Sequence, residues 1–449
     1  MSNIYDHTFS FSLIRKYISF TFKRYYGEYI VIGKENIPTG CPIIFAPNHT
    51  NALMDALAVH VIAPPKLSVI FLARADIFNN KMAAKALDMA KIMPAFRMRD
   101  GVENLGRNQE IFDKCVDVLH HNMALGIMPE GNQEVERKLR PLVKGIFRIA
   151  FAAQQKYGNK PGVKIVPIGL DFGDIIKAGK HIIITVGKPI EVSDYMVEHA
   201  NNPVTAMNEI REKLKKSLND ISFNLATDKY YESFEIATEV CNTDYLNKLQ
   251  LPNQTEYRFV VRQKIAKKLV ELESNEPEKA ELLSSHCNEY AEKLKKLNLR
   301  NWVLEQAPFN SLWLISDSLL LFWTFPLFIS GLIVNFLPFF LPVFIRKKIF
   351  KTEFTGFFSS LQYALGLFTF PIFYIVQTIL FWSLTNFPLW VSILFCLMQY
   401  TMGKSALKWN SKFQKLRAIM RFNRYKKSKP DQVSETESVR KQIIKLVMS

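Results

Sequence analysis

The stretch PIIFAPNHTNALMDAL, residues 42–57, passes from one structural period to another within sixteen residues. Pro42–Ala46 is a short, uninterrupted apolar run of the kind that forms a strand buried on both faces. After the polar turn Asn48–Asn51 the pattern becomes helical. A strand feeding through a short turn into a helix is the repeating unit of an α/β domain, and the surrounding chain repeats it. Further apolar runs occur at 29–33 (YIVIG), 68–73 (SVIFLA), 124–129 (ALGIMP), 163–172 (VKIVPIGLDF) and 181–187 (HIIITVG), separated by helical stretches at 81–92, 106–121 and 143–157. The expected fold over residues 30–200 is α/β, a mixed, largely parallel sheet flanked by helices.

The turn carries chemistry-bearing side chains. Asp55 lies six positions after His49, and six residues of helix rotate by about 600°, so on one regular helix the two would point apart. His49 is therefore expected in the loop ahead of the helix, free to fold back onto Asp55. A carboxylate that fixes the histidine tautomer leaves the other ring nitrogen to take a proton from a hydroxyl. A second turn, GIMPEGNQ (126–133), sets Glu130 and Gly131 at another strand end, followed by Arg137, Lys138, Arg140, Lys144 and Arg148. Exposed backbone amides ringed by cations suit an anion. Arg74, Arg97 and Arg99 lie in two further runs, FLARADIF (71–78) and MPAFRMRDG (93–101).

The 449 residues are 48% hydrophobic and 22% charged, which excludes a disordered or fibrous chain. Cys41, Cys115, Cys241, Cys287 and Cys396 form no CxxC pair, which argues against a disulfide framework and a structural metal site. Two solvents are written into the distribution. All six tryptophans lie beyond residue 300, and residues 356–403 contain no charged side chain or histidine. A membrane helix needs about 20 apolar residues, so this stretch holds two spans, broken near Thr385–Pro388. Residues 318–345 are also uncharged, and Pro326, Gly331, Pro338 and Pro342 make them a short hairpin or one kinked span.

The net charge of +17 is concentrated beside these spans. Arg346, Lys347, Lys348 and Lys351 separate the two apolar blocks, and Lys404–Lys429 holds ten basic residues and no acidic one. By the positive-inside rule both clusters are cytoplasmic. Such a distribution points to anionic membrane lipids rather than to nucleic acid. The expected organisation is an interfacial membrane-associating helix at 1–29, a catalytic domain at 30–200 and a helical insert at 201–310. Transmembrane hairpins follow at 311–403, then a basic cytoplasmic tail at 404–449. The aromatic and basic run 9–30 suits a helix lying at headgroup depth.

Taken together and in order, Asn48/His49/Asp55, Phe71/Arg74, Pro129/Glu130/Gly131 and Val166/Pro167 resemble the four blocks of the glycerophospholipid acyltransferase family. That family includes the bacterial lysophosphatidic acid acyltransferases. The likeness covers 45–170, with a similar lead-in at 33–49. It departs from the usual pattern twice: five residues rather than four separate His49 from Asp55, and Asn132 and Gln133 stand where Thr-Arg-Ser is usual after Gly131. The wider spacing is similar to a branch containing fungal glycerol-3-phosphate/dihydroxyacetone-phosphate acyltransferases.

The resemblance implies a catalytic His49–Asp55 pair and acceptor binding by Asn48, Arg74, Glu130 and Gly131. Arg97, Arg99 and Lys144 are further candidates, and Arg137, Arg140 or Lys144 could replace the missing arginine. It implies acyl-CoA or acyl carrier protein as donor, no cofactor or metal, and glycerol-3-phosphate or its 1-acyl derivative as acceptor. The alternatives are another lysophospholipid acceptor, or an inactive membrane-anchored lipid-binding protein. The expected location is a membrane, with the bacterial inner membrane favoured and the catalytic domain cytoplasmic.

Overall fold

A computed structural model describes residues 9–79, 84, 87, 88, 90–95, 105–157, 162–350 and 354–449. The chain forms two units, residues 1–224 with 355–360 and residues 225–354 with 361–449.

In the first unit the described residues build one eight-stranded sheet. Its strands are β1 (Glu28–Ile32), β2 (Ile43–Pro47), β3 (Val69–Arg74), β4 (Ile92–Ala95), β5 (Ala124–Gly126), β6 (Lys164–Phe172), β7 (His181–Val186) and β8 (Ile190–Glu191). They lie in the order β1-β7-β6-β2-β5-β3-β4, with β8 also paired to β6. Only β6–β7 and β6–β8 are antiparallel, so the sheet is mixed and largely parallel. The unit's longer helices are α1 (Phe9–Tyr25), α2 (Ala52–Ile62), α3 (Leu105–His120), α4 (Gly145–Tyr157) and α5 (Pro203–Ile221).

Alternation along the strands divides the core. Ile44 and Ala46 of β2, Ile70, Leu125 and Ile165 join Leu119 of α3, Phe147 and Phe151 of α4, and Ile210, Leu214 and Leu218 of α5 in one buried cluster. The opposite face is covered by α2, which packs on β2 and β6, and α1 packs on α2. The helical insert therefore starts after residue 224 rather than at 201, because the apolar stripe of α5 closes the first unit's core. β4 begins at the end of the expected helix 81–92, half of which lies outside the described residues, and takes in the start of the run 93–101.

Pro167 sits in a central strand without breaking it. Its carbonyl accepts from Gly187 N at 2.9 Å, at the gap where β6 changes partner from β8 (through Ile165) to β7 (from Ile168). No ladder bond on that side needs the missing N–H.

α1 is a packed helix on one face. Phe11, Phe22 and Arg15 are buried, and the Arg15 guanidinium donates to five carbonyls at the end of α2 and the turn after it: His60, Ala63, Pro64, Pro65 and Leu67, at 2.7–3.3 Å. Arg15 therefore caps a helix C-terminus, where a cation opposes the dipole, instead of facing lipid phosphates. The other face exposes Phe9, Leu13 and Phe20 beside Lys16, Lys23 and Arg24.

The second unit is helical. α6 (Tyr231–Val240), α7 (Thr255–Asn275) and α8 (Pro277–Leu297) are followed by α9 (Ser311–Trp323), α10 (Phe325–Ile345), α11 (Phe358–Thr385), α12 (Leu389–Ser428) and α13 (Pro430–Met448). Residues 325–350 and 355–385 are long and apolar enough to cross a membrane, and Ile333, Phe336, Ile372 and Ile379 among them are exposed. Helix α10 is continuous through Pro338 and Pro342, and the first apolar block divides at Thr324 between the end of α9 and α10.

The expected break falls at Asn386–Pro388, with Asn386 at φ 52°. Beyond it the apolar residues and the basic tail form one 40-residue helix, because nothing between Leu389 and Ser428 ends it. Polar side chains link these helices. Asn335 Nδ2 donates to Gln399 O at 3.1 Å, Tyr374 OH to Asn335 Oδ1 at 2.6 Å and Gln399 Nε2 to Thr378 Oγ1 at 3.0 Å.

Arg15→Ala strips a shared donor from five carbonyls and should cost about 2–4 kcal/mol, read as a lowered melting midpoint in detergent. Burial and the neighbouring Arg15 guanidinium pull the His60 imidazole down to about 4. Because that value lies below the unfolded one near 6.5, the folded state resists protonation. Stability present above about pH 6.5 should fall by up to about 3 kcal/mol as pH drops towards 4. Melting curves across that range should show the slope, and His60→Gln should flatten it.

Candidate active site

Parallel pairing brings the ends of β2 and β5 to one edge of the sheet, the edge where open α/β sheets bind ligands. The chain leaving β2 is fastened at once. Asn48 N donates to Ile168 O at 3.2 Å. Its side chain donates to Leu170 O at 3.2 Å and accepts from Leu170 N at 2.6 Å. Both ends of this amide are bonded to the backbone of β6, so Asn48 anchors the loop.

His49 sits in the loop and folds back: its Nδ1 lies 2.8 Å from Asp55 Oδ2. The same oxygen accepts from Thr50 N at 3.0 Å and Asn51 N at 2.7 Å. The Asp55 side chain is fully buried, whereas that of His49 is 18% exposed. A carboxylate opposite Nδ1 makes that nitrogen the donor and leaves the Nε2 lone pair to accept a proton. Between Asn51 and Leu53 the backbone is strained: Ala52 has φ 43°, a left-handed conformation costing an L-residue about 1–2 kcal/mol.

Two serines from far along the chain, in the first turn of α11 and counted with the first unit, bracket that residue. Ser359 Oγ donates to Asn51 Oδ1 at 2.7 Å and Ser360 Oγ to Asn51 O at 3.2 Å. Leu53 N donates to Ser360 Oγ at 3.1 Å.

Glu130 is buried and holds the backbone of His49. Oε1 accepts from His49 N at 2.7 Å, and Oε2 accepts from both N and Nε of Arg140 at 3.0 Å. The ring closes where Arg140 Nη2 donates to His49 O at 2.7 Å. Burial pushes the Glu130 carboxyl up, opposed by the Arg140 guanidinium and by the two amides. Gly131 turns the chain at φ 69°, and a Cβ there would meet Val143 Cγ1 at 2.9 Å. Its amide donates to Met128 O and is not offered to an anion. Glu130 and Gly131 thus shape the loop, as Asn48 does.

Of the remaining candidates, Lys144 is exposed at the start of α4. Arg74 ends β3, and its side chain lies outside the described residues, as do Arg97 and Arg99. Arg137 donates to Phe172 O and lies 3.9 Å from Asp171. A recess beside the histidine loop is lined by Asn48, Thr50, Glu130, Arg137, Lys138, Leu139, Ser222 and Phe223. Sequence reasoning missed the role of Arg140, weighing it only as an anion ligand, and missed Ser359 and Ser360 altogether. Their one signal is a pair of polar residues heading a long apolar run.

Residues 28–171, which contain β1, the histidine loop and the Glu130 turn, match the acyltransferase family model. The likeness to the acyltransferase family is confined to this segment, about a third of the chain. Glycerol-3-phosphate O-acyltransferase 1 of Saccharomyces cerevisiae is 26% identical over 203 residues, covering 44% of this chain and 26% of the yeast protein. Tafazzin of Drosophila melanogaster is 21% identical over 203 residues, covering 41% of this chain and 50% of the fly protein. The chain thus spans a quarter to a half of the length of these relatives. The crystal structure of the 1-acyl-sn-glycerophosphate acyltransferase PlsC from Thermotoga maritima aligns with a TM-score of 0.34 at 17% identity, over 46% of this chain and 76% of that one.

Arg140→Met leaves the buried Glu130 carboxylate without its countercharge. Stability should fall by about 3–5 kcal/mol, and by less in Arg140→Met/Glu130→Gln, as measured by chemical denaturation.

Proposed function

We propose that this protein transfers a fatty acyl group from an acyl thioester to a hydroxyl of a glycerol phosphate at a membrane surface. The observation that carries this reading is the buried Asp55 carboxylate 2.8 Å from Nδ1 of a partly exposed His49, inside the segment matched by the acyltransferase family.

In this reading His49 Nε2 takes the proton of the acceptor hydroxyl as its oxygen attacks the thioester carbonyl. The tetrahedral oxyanion collapses, the C–S bond breaks, and the departing thiolate takes the proton back from the imidazolium. Asp55 keeps Nδ1 protonated and stabilises the cation that forms. The donor is acyl-CoA or acyl carrier protein, and no covalent acyl-enzyme is required. General-base catalysis contributes about 10²–10⁴-fold, with positioning of the two substrates supplying much of the rest.

Glycerol-3-phosphate or 1-acyl-glycerol-3-phosphate is the acceptor. Arg137 and Lys138 at the recess suit an anionic headgroup, with Lys144, Arg74, Arg97 and Arg99 as further cations. The two long apolar helices and the exposed Phe9, Leu13 and Phe20 of α1 support integral attachment with this unit at the lipid surface. The basic clusters favour its cytoplasmic side, as in a bacterial inner membrane.

The test offers labelled acyl-CoA and acyl carrier protein to detergent-purified protein, with glycerol-3-phosphate, its 1-acyl derivative and other lysophospholipids in parallel. Transfer by the wild type and a kcat lower by about 10²–10⁴-fold in His49→Ala, at unchanged melting temperature, is the expected result. Undiminished turnover in His49→Ala removes the mechanism. Binding of lysophospholipid without transfer would make the protein a lipid binder.

A further inference from the structure

We propose that Ser359 and Ser360 are positioning residues for the His49–Asp55 pair, so that the first turn of an apolar, membrane-length helix sets the geometry of the catalytic loop. The inference rests on the acyltransferase reading of that pair.

The chain of contacts is short. Asn51 N donates to the Asp55 oxygen that also faces His49, so the place of Asn51 decides where that carboxylate oxygen is satisfied. Asn51 is in turn held at two points by α11, its side-chain oxygen by Ser359 and its carbonyl by Ser360. Ser360 Oγ also receives Leu53 N, on the far side of the strained Ala52. The hydroxyls therefore grip the residues before and after the one backbone position that pulls away from this conformation.

These are committed hydrogen bonds rather than incidental ones. Ser359 is 2% exposed, Ser360 5% and Asn51 1%, so water does not replace a lost partner. Neither serine reaches the His49 ring or the recess. Their influence on turnover passes through the loop, and the acceptor's affinity is set by other side chains.

Geometry of this kind acts on kcat. Displacing a catalytic group by about 1 Å lowers turnover roughly 10²-fold. Losing two buried hydroxyls lets Ala52 relax and frees Asn51 N to leave Asp55. Ser359→Ala/Ser360→Ala should therefore lower kcat by about 10–100-fold with KM for both substrates within about twofold. Each single variant should lie between that and the wild type. Ser360→Thr, which keeps the hydroxyl, should recover most of the rate. Ser383→Ala, which removes a hydroxyl bonded to Leu380 O in the same helix, serves as the control.

Amide hydrogen exchange supplies a readout independent of turnover. In detergent-purified full-length protein, exchange across residues 50–55 should accelerate at least about tenfold in the double serine variant and stay unchanged in Ser383→Ala. Exchange in α4 should also be unchanged, which separates loosening of the loop from unfolding of the domain. Wild-type kcat and wild-type exchange at 50–55 in the double variant would overturn the proposal. So would a raised KM at unchanged kcat. If the wild type transfers no acyl group, the acyltransferase reading fails, and the exchange result still decides whether these serines hold the loop.

Discussion

The carboxylate of Glu130 fastens two neighbouring strand ends into one site. β2 and β5 run parallel and side by side, so the turn after each emerges at the same edge, but the register between these two strands ends at Phe45 and Gly126. Glu130 bridges the gap by accepting the amide of His49 on one oxygen and two donors of Arg140 on the other. A buried carboxylate is tolerable only when fully partnered, and Arg140 supplies the charge and, through His49 O, the fourth side of the ring. The backbone of His49 is thereby held at both N–H and C=O, and its ring is left to Asp55.

Local pattern and non-local pairing explain what could be read in advance. The change of period at Asn48–Asn51 marks the end of β2 and the start of α2, and helical rotation alone requires His49 to fold back from the loop. The backbone contacts of Asn48 and Glu130 are not legible in the sequence for one reason. Whether a polar side chain faces a ligand or a neighbouring strand depends on register, and the registers of β2 with β6 and with β5 join residues more than 80 apart. β4 is hidden because Ile92–Ala95 is short and contains a proline. The stripe Ala206, Ile210, Leu214, Leu218 has ordinary helical spacing, and only the sheet it covers shows that it belongs to the first unit.

In the second unit one helix carries both apolar and cationic chemistry. Helix α12 begins in Leu, Phe and Met and ends in Arg and Lys without a break. Its Lys412 meets the buried Asp317 of α9 at 2.6 Å, and its Gly403 lets α10 approach so closely that a Cβ would strike the Asn335 side chain at 2.6 Å. The excess positive charge is thus partly structural, and the remainder lies next to the apolar segments, where anionic headgroups would be met.

The distance along the chain between the loop and its serines has a consequence in time. Leu53 and Ser360 are 307 residues apart. A ribosome adding about 5–20 residues per second makes the serine roughly 15–60 s after the leucine. Every strand of the sheet, and α5 that closes its core, is synthesised well before Ser360. The nascent protein therefore passes through a period in which its α/β unit is complete in sequence while the histidine loop lacks three of its hydrogen bonds. Maturation of the site is timed by the arrival of α11, a helix long and apolar enough to cross a membrane, and not by folding of the sheet.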